Sequence, residues 1–304
     1  MPPRPAAATL LVVALLGGCA PVGGDERLAA GEARWPPTSG ADARAPSPVT
    51  ATAAAAPADP AAGGADAIAA DVASLGDATE GWRAIAPGLE TAERVVRDAG
   101  GAVRERPLVV RLDPDRYAFD VAYRPGEPQV LSAWQAATGA DVVVNGGYFT
   151  EAYVATGYIV AGGTPSGASY GDFAGEFAVT AAGPEVRWLA EHPHDPAEPL
   201  LAAVQAFPLL VRPDGQAAYP DDDGLPARRT IIGQDGQGRI VIAVMPLGGL
   251  TLHALATWLA GPADLGLRIA FNLDGGASTG LLLPDGSGEP GLSAVPSVIV
   301  AKER

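Results

Sequence analysis

The chain has 304 residues, 48% of them hydrophobic, with a formal net charge of -15 at pH 7. Alanine, glycine and proline inflate the apolar fraction, so one large domain with a tail is expected, and so acidic a chain repels nucleic-acid phosphates. Nineteen of the twenty basic residues are arginine and the other is Lys302, which argues against phosphate-loop lysine and Schiff-base chemistry.

In chain order, Arg4 precedes an apolar run, Ala6 to Leu16, of eleven residues. A membrane span needs roughly twenty, so the run reads as the hydrophobic region of a signal peptide over residues 1–18. Leu16-Gly17-Gly18-Cys19 has the form of a lipobox, and Cys19 is the only cysteine. The expectation is a lipid anchor on Cys19 that tethers the protein to a membrane it does not span. Ala20 is not the aspartate that favours inner-membrane retention, which points to the outer membrane. The lone thiol excludes disulfides and cysteine zinc sites from the folded domain.

Residues 19–79 are rich in alanine, proline and glycine. They offer too little bulky apolar surface to offset ordering entropy and read as a disordered tether. Within the tether, Ile68, Val72 and Leu75 mark a marginal helix. The domain is expected over residues 80–304. Pro107 to Leu112 and Tyr117 to Tyr123, separated by Asp113-Pro114-Asp115, suggest a hairpin. Gln129 to Thr138 has helical spacing, and Asp141 to Asn145 is a short buried strand. Further strands are predicted at Glu176 to Thr180, Val204 to Val211, Thr230 to Gln234, Arg239 to Met245, Leu267 to Leu273 and Ser297 to Ala301. A helix is predicted from Thr251 to Leu259. Strands outnumber helices without regular alternation, which predicts an α+β domain with a mixed, mainly antiparallel sheet.

Three predicted strands border residues able to do chemistry. Asn145-Gly146-Gly147-Tyr148-Phe149 lets the backbone turn and approach a ligand, although by itself it also fits a tight turn. Arg228-Arg229-Thr230 offers guanidinium forks suited to phosphate or carboxylate, or to ion pairs with Asp221, Asp222 and Asp223. In Asn272-Leu273-Asp274-Gly275-Gly276-Ala277-Ser278-Thr279, strand alternation puts Asn272 and Asp274 on one face.

Together these segments resemble the phosphodiester glycosidase family, whose pattern has an Asn-Gly-Gly-aromatic-Phe segment, an Arg-Thr entering a strand, and Asn-Leu-Asp-Gly-Gly, in that order. The similarity runs from about Gly81 to Lys302 and includes the approach Trp82 to Glu90. The chain departs from the pattern at Pro246-Leu247-Gly248-Gly249 and at Ser293-Ala294-Val295-Pro296, where relatives often carry arginine, and at Arg228, where proline is usual. The resemblance implies hydrolysis of a sugar 1-phosphodiester in the cell envelope without a cofactor. Arg229 would hold the phosphate, and Asp274 would act as general base or cation stabiliser. Asn145 and Asn272 would orient the sugar or the water. Gly146, Gly147, Phe149, Thr230, Gly275, Gly276 and Ser278 would complete the substrate site, with the glycine amides as donors. The expected partner is a carbohydrate or sugar phosphate.

Two other readings compete. One is a noncatalytic lipoprotein of the same fold that binds envelope polysaccharide or peptidoglycan. The other is a serine hydrolase built on Gly167-Ala168-Ser169-Tyr170-Gly171, but that motif needs a preceding strand and a following helix, and its surroundings read as a flexible glycine-rich loop, a flap over the site. His192, His194 and His253 read as loop and helix-face residues and Asp221 to Asp223 as a solvated turn, so no metal site is expected. If Cys19 carries the anchor, Cys19→Ser will lose lipid label and leave the membrane fraction. An unlabelled wild-type protein would contradict the anchor.

Overall fold

The computed structural model describes residues 81–261 and 265–304. The signal segment, Cys19, the tether and its marginal helix lie outside the described residues. Every strand pairing among the described residues is antiparallel. The sheets, expected to be mainly antiparallel with some parallel pairing, are wholly antiparallel among the described residues, which hold two α-helices, consistent with the expected α+β class.

A seven-stranded sheet has the order Arg83–Ala86, Leu89–Glu93, Leu108–Leu112, Ile240–Met245, Arg229–Asp235, Leu267–Asn272 and Leu209–Val211. A second sheet, of five strands, runs Gly288–Glu289, Leu281–Leu282, Val142–Asn145, Ser297–Glu303 and Tyr117–Tyr123. A third, also of five, runs Gly183–Trp188, Gly175–Thr180, Ala202–Ala206, Ile159–Ala161 and Thr164–Ser166.

Side-chain alternation builds the layers. In Ile240–Met245 every residue is buried because both faces are covered. Ile240, Ile242 and Val244 enter a core shared by the three sheets, with Val144, Ile299, Phe177 and Val204. Val241, Ala243 and Met245 face the helix Leu252–Ala260 through Leu255 and Leu259. Likewise Val142 and Val144 join the shared core, while Val143 packs under the helix Leu131–Thr138 against Leu131 and Trp134. The buried Trp134 indole N–H donates to the Val295 carbonyl at 3.0 Å.

Two sequence expectations are corrected. Leu108–Leu112 and Tyr117–Tyr123 do not form a hairpin. Asp113 closes the turn between them, its Oδ1 accepting from the Asp115 amide at 2.9 Å. The first strand then pairs with Leu89–Glu93 and Ile240–Met245, whereas the second pairs along its whole length with Ser297–Glu303. The first is thus paired on both sides in one sheet, and the second finds in another a seven-residue ladder that the five-residue Leu108–Leu112 could not offer. The predicted strand Val204 to Val211 is two strands, Ala202–Ala206 and Leu209–Val211, in different sheets. Pro208 lacks an amide donor and interrupts the ladder, and the Phe207-Pro208 peptide is cis.

Leu252–Ala260 begins at Thr251, whose hydroxyl accepts from the Ala254 amide at 3.2 Å. Thr251→Ala removes that cap and is expected to cost about 1 kcal/mol, measurable by chemical denaturation. An unchanged midpoint would show that packing alone fixes this helix end.

Candidate active site

The Arg229–Asp235 and Leu267–Asn272 strands are neighbours in the seven-stranded sheet, and Asn145 ends a strand of another sheet. The Asn145 side chain joins them. It is fully buried, and its Oδ1 accepts from the Thr230 hydroxyl at 2.8 Å and from the Gly280 amide at 3.1 Å. Its Nδ2 donates to the Asp274 carbonyl at 2.8 Å and to the Gly146 carbonyl at 3.3 Å. The Gly146 carbonyl also accepts from the Asp274 amide at 3.2 Å. The backbone of Asp274 is thereby held at both its N–H and its C=O, although the strand stops at Asn272 and Asp274 occupies a bend.

The Asp274 carboxylate accepts from the Gly275 amide at 2.9 Å and from the Ser278 hydroxyl. Desolvation outweighs both bonds and raises its pKa to about 6. A single turn of 3-10 helix, Gly276–Ser278, brings Ser278 to it. Gly276 has a φ of +61°, which glycine adopts without strain.

The paired arginines divide. Arg228 forms an ion pair with Glu289 at 2.9 Å and donates to the Thr279 carbonyl at 3.1 Å. Arg229 donates to the Leu225 carbonyl at 3.2 Å and has no carboxylate at ion-pair distance among the described residues. Its Nε is buried without a hydrogen-bond partner, and desolvation lowers its pKa. The neighbouring Asp222 and Asp223 carboxylates instead accept from the Gly224 and Leu225 amides of their own turn.

Tyr148 links the two charged residues. Its pKa is raised by burial first, then by the Asp274 charge, while Arg229 opposes the shift. Its hydroxyl donates to the Phe207 carbonyl at 2.6 Å and accepts from Asn272 Nδ2 at 2.7 Å. The sequence reading passed over Tyr148 in favour of Phe149. Yet Phe149 stacks on Tyr153 and packs toward the outer cluster under the first helix, on the opposite face of the chain. Alternation of adjacent side chains in an extended segment was the signal that separates the two.

Several expected substrate contacts are met inside the protein. Asn145, Thr230 and Asn272 are fully buried. The amides of Gly146, Gly275 and Gly276 donate to Ser297 O, Asp274 Oδ1 and Arg228 O, at 3.0, 2.9 and 2.8 Å. They are thus engaged and not offered to a ligand. A Cβ at Gly146 would collide with the Ser297 hydroxyl, one at Gly147 would lie 2.9 Å from the Gln205 carbonyl, and one at Gly275 would lie 2.7 Å from the Arg228 carbonyl. These three glycines serve close packing of the protein on itself. The Pro246 to Gly249 turn is likewise anchored, since the Leu247 and Gly249 amides donate to the buried Glu105 carboxylate. Gly167 to Gly171 is irregular loop with no strand-to-helix elbow. Two surface concavities, of about 560 and 500 Å³, lie elsewhere, one beside Pro87 and Arg239 and the other beside Trp188 and Arg268.

The family model described as phosphodiester glycosidase matches residues 138–302, which contain all three segments. Among solved structures, the chain is similar to the catalytic domain of zebrafish N-acetylglucosamine-1-phosphodiester alpha-N-acetylglucosaminidase, auto-inhibited by its pro-peptide. That match has 21% identity and a TM-score of 0.58, and covers 73% of this chain and 86% of that one. A hypothetical protein from Synechocystis matches at 16% identity and a TM-score of 0.51, over 72% of this chain and 62% of that one. These two likenesses carry the fold. Comparison with curated proteins gave no match.

Asn145→Leu would leave the Thr230 hydroxyl, the Gly280 amide and the Asp274 carbonyl without their buried partner. At about 1–3 kcal/mol for each unsatisfied group, the loss should reach about 3 kcal/mol or more, against about 1 kcal/mol for Thr230→Val, read from denaturant midpoints. Equal and small effects would show that the amide does not hold the segments together.

Proposed function

The chain belongs to the phosphodiester glycosidase family, and from that premise we propose that it hydrolyses a glycosyl 1-phosphodiester, releasing the sugar and leaving a phosphomonoester on the acceptor. One observation carries the reading. A desolvated carboxyl, Asp274, and a partly buried guanidinium, Arg229, which has no carboxylate at ion-pair distance among the described residues and feels Asp223 only at longer range, both act electrostatically on Tyr148 in a chain of net charge -15. Strained or desolvated charges of this kind cluster where chemistry is done.

In the proposed reaction a water oxygen bonds to the anomeric carbon while the bond from that carbon to the phosphate oxygen breaks, its electron pair leaving with the phosphate. Asp274, as carboxylate, takes the water proton or stabilises the positive charge on the ring. Arg229 holds the phosphate oxygens through its planar fork and balances the charge that gathers on them. Phosphate is a good leaving group, so little help is needed from a general acid. Asn145 acts as a positioning residue, fixing the backbone of Asp274. Asn272 fixes Tyr148, and Ser278 keeps the carboxylate oriented. We place this activity in the cell envelope, with the protein anchored through Cys19.

The pH dependence follows from Asp274. Its folded pKa of about 6 lies above the unfolded value of roughly 3.9, so between these values the folded state binds more protons than the unfolded. The contribution of this carboxyl to stability is therefore present below pH ~4 and declines as pH rises through about 6. Ionised Asp274 is the active form, so kcat/KM should fall on the acid side of an inflection near pH 6.

The experiment is release of sugar from a panel of sugar 1-phosphodiesters. Asp274→Asn should lower turnover by about a hundredfold or more while melting no lower than wild type at pH 7.5. Arg229→Lys should lose about tenfold or more, because an ammonium lacks the bidentate fork. Unchanged activity in both variants would overturn the site. No activity across the panel would favour the noncatalytic envelope-binding reading.

A further inference from the structure

Four aromatic rings, Tyr148, Phe207, Tyr170 and Phe173, meet in one group, and the Tyr148 and Tyr170 hydroxyls in it feel the Asp274 charge. Phe207 is the hub, with its centroid 4.9 Å from Tyr148, 5.0 Å from Tyr170 and 5.4 Å from Phe173, the last two edge-on. Tyr170 and Phe173 are 6.2 Å apart. Phe173 is 48% exposed, so part of its ring is open to contact while the rest packs on Phe207 and Tyr170.

The rings are held in place. The Tyr170 hydroxyl meets the Thr156 hydroxyl at 2.5 Å, and the Tyr170 amide donates to Gln205 Oε1 at 3.1 Å. Gln205 is itself buried and donates to the buried Glu176 carboxylate at 2.8 Å. Behind Phe173, the buried Ala174 carbonyl accepts from the Leu189 amide at 3.0 Å. An exposed ring on so fastened a loop is preorganised for contact.

Charge decides which half of a glycosyl phosphodiester belongs there. Asp274 lies within electrostatic reach of the Tyr148 and Tyr170 hydroxyls, and Arg229 within reach of Tyr148. A phosphate placed against Tyr170 would face the Asp274 carboxylate, whereas one placed at Arg229 meets a cation. The neutral half, the sugar ring, fits the aromatic side, because its C–H face can lie on a phenyl or phenol ring and exclude water. We propose that Phe173, Tyr170 and Phe207 form the shelf for the sugar ring, with the phosphate directed to Arg229. The assignment rests on the phosphodiester-hydrolase reading for the phosphate half, and the sugar half can be tested without turnover.

Full-length protein containing 4-fluorophenylalanine is titrated with the neutral methyl α-glycosides of N-acetylglucosamine, glucose, galactose and mannose, and separately with dimethyl phosphate. Fluorine resonances are assigned with Phe173→Leu and Phe207→Leu. The expected result is a saturable shift of the Phe173 resonance with at least one glycoside and none with dimethyl phosphate. In parallel, Phe173→Ala should reduce kcat/KM for N-acetylglucosamine 1-(methyl phosphate) about tenfold, mostly through KM, with Phe173→Tyr restoring most of it and melting temperatures unchanged. A Phe173 resonance unmoved by every glycoside, or moved by dimethyl phosphate, overturns the shelf whatever the turnover. Failure of wild type to turn over any phosphodiester, with a saturable glycoside shift, overturns the hydrolase reading and leaves the sugar shelf supported.

Discussion

The site depends on one buried amide. The Asn145 side chain stands at the end of a strand in one sheet and reaches the Thr230 hydroxyl on a strand of another, the bend at Asp274 and the turn at Gly280. A buried polar group is costly unless it is paired, and this one is paired at both of its atoms. The same bonds that make it affordable fix the distance between the two charged elements. Asn145 therefore does its work without touching solvent. Glycines around it let the strands approach closely enough, as the collision of an added Cβ at Gly146 with Ser297 shows.

The second constraint is charge. In so acidic a chain most partly buried guanidinium groups are consumed locally. Arg187 is ringed by Glu176, Glu185 and Glu198, Arg228 pairs with Glu289, and Arg239 with Asp235 and Glu90. Arg229 has no carboxylate at ion-pair distance among the described residues, and its charge is felt with Tyr148, Asp223 and Tyr219 around it, while the Asp222 and Asp223 carboxylates accept from the amides of their own turn. An anion that escapes repulsion by the surface meets this cation with much of its solvent already removed, where electrostatic attraction is strongest.

Much of the fold was legible because the central strands Val142–Asn145 and Ile240–Met245 are dense in β-branched residues and the edge strand Tyr117–Tyr123 alternates buried with exposed positions. Val142–Asn145, Ile240–Met245 and Tyr117–Tyr123 lie where alternation and apolar runs put them, and Thr251 caps the second helix. Short strands with weak patterns were missed, such as Gly183–Trp188, with glycine, proline and two charges in six residues, and Thr164–Ser166, which contains a proline. Pairing partners were less legible still. The turn after Leu112 looks like a hairpin locally, and only the presence of Ser297–Glu303 far along the chain explains why it is not one. At the site, the three motif segments carried their own signal, and the structure brings them together. What they do there was less visible, because whether Asn145 or Thr230 faces a ligand or the interior depends on the neighbouring sheet. Phe207 carried no local signal, and the loop that holds Tyr170 was read as glycine-rich loop at the site without a role for its tyrosine, since the two rings meet from loops 37 residues apart in sequence.

A crystal structure of the full chain with a nonhydrolysable glycosyl phosphonate, its bridging oxygen replaced by a methylene, tests the central claim most directly. The account predicts phosphonate oxygens on the Arg229 guanidinium and the anomeric carbon facing the Asp274 carboxylate. A phosphonate bound in either outlying concavity, without contact to Arg229 and Asp274, would contradict it.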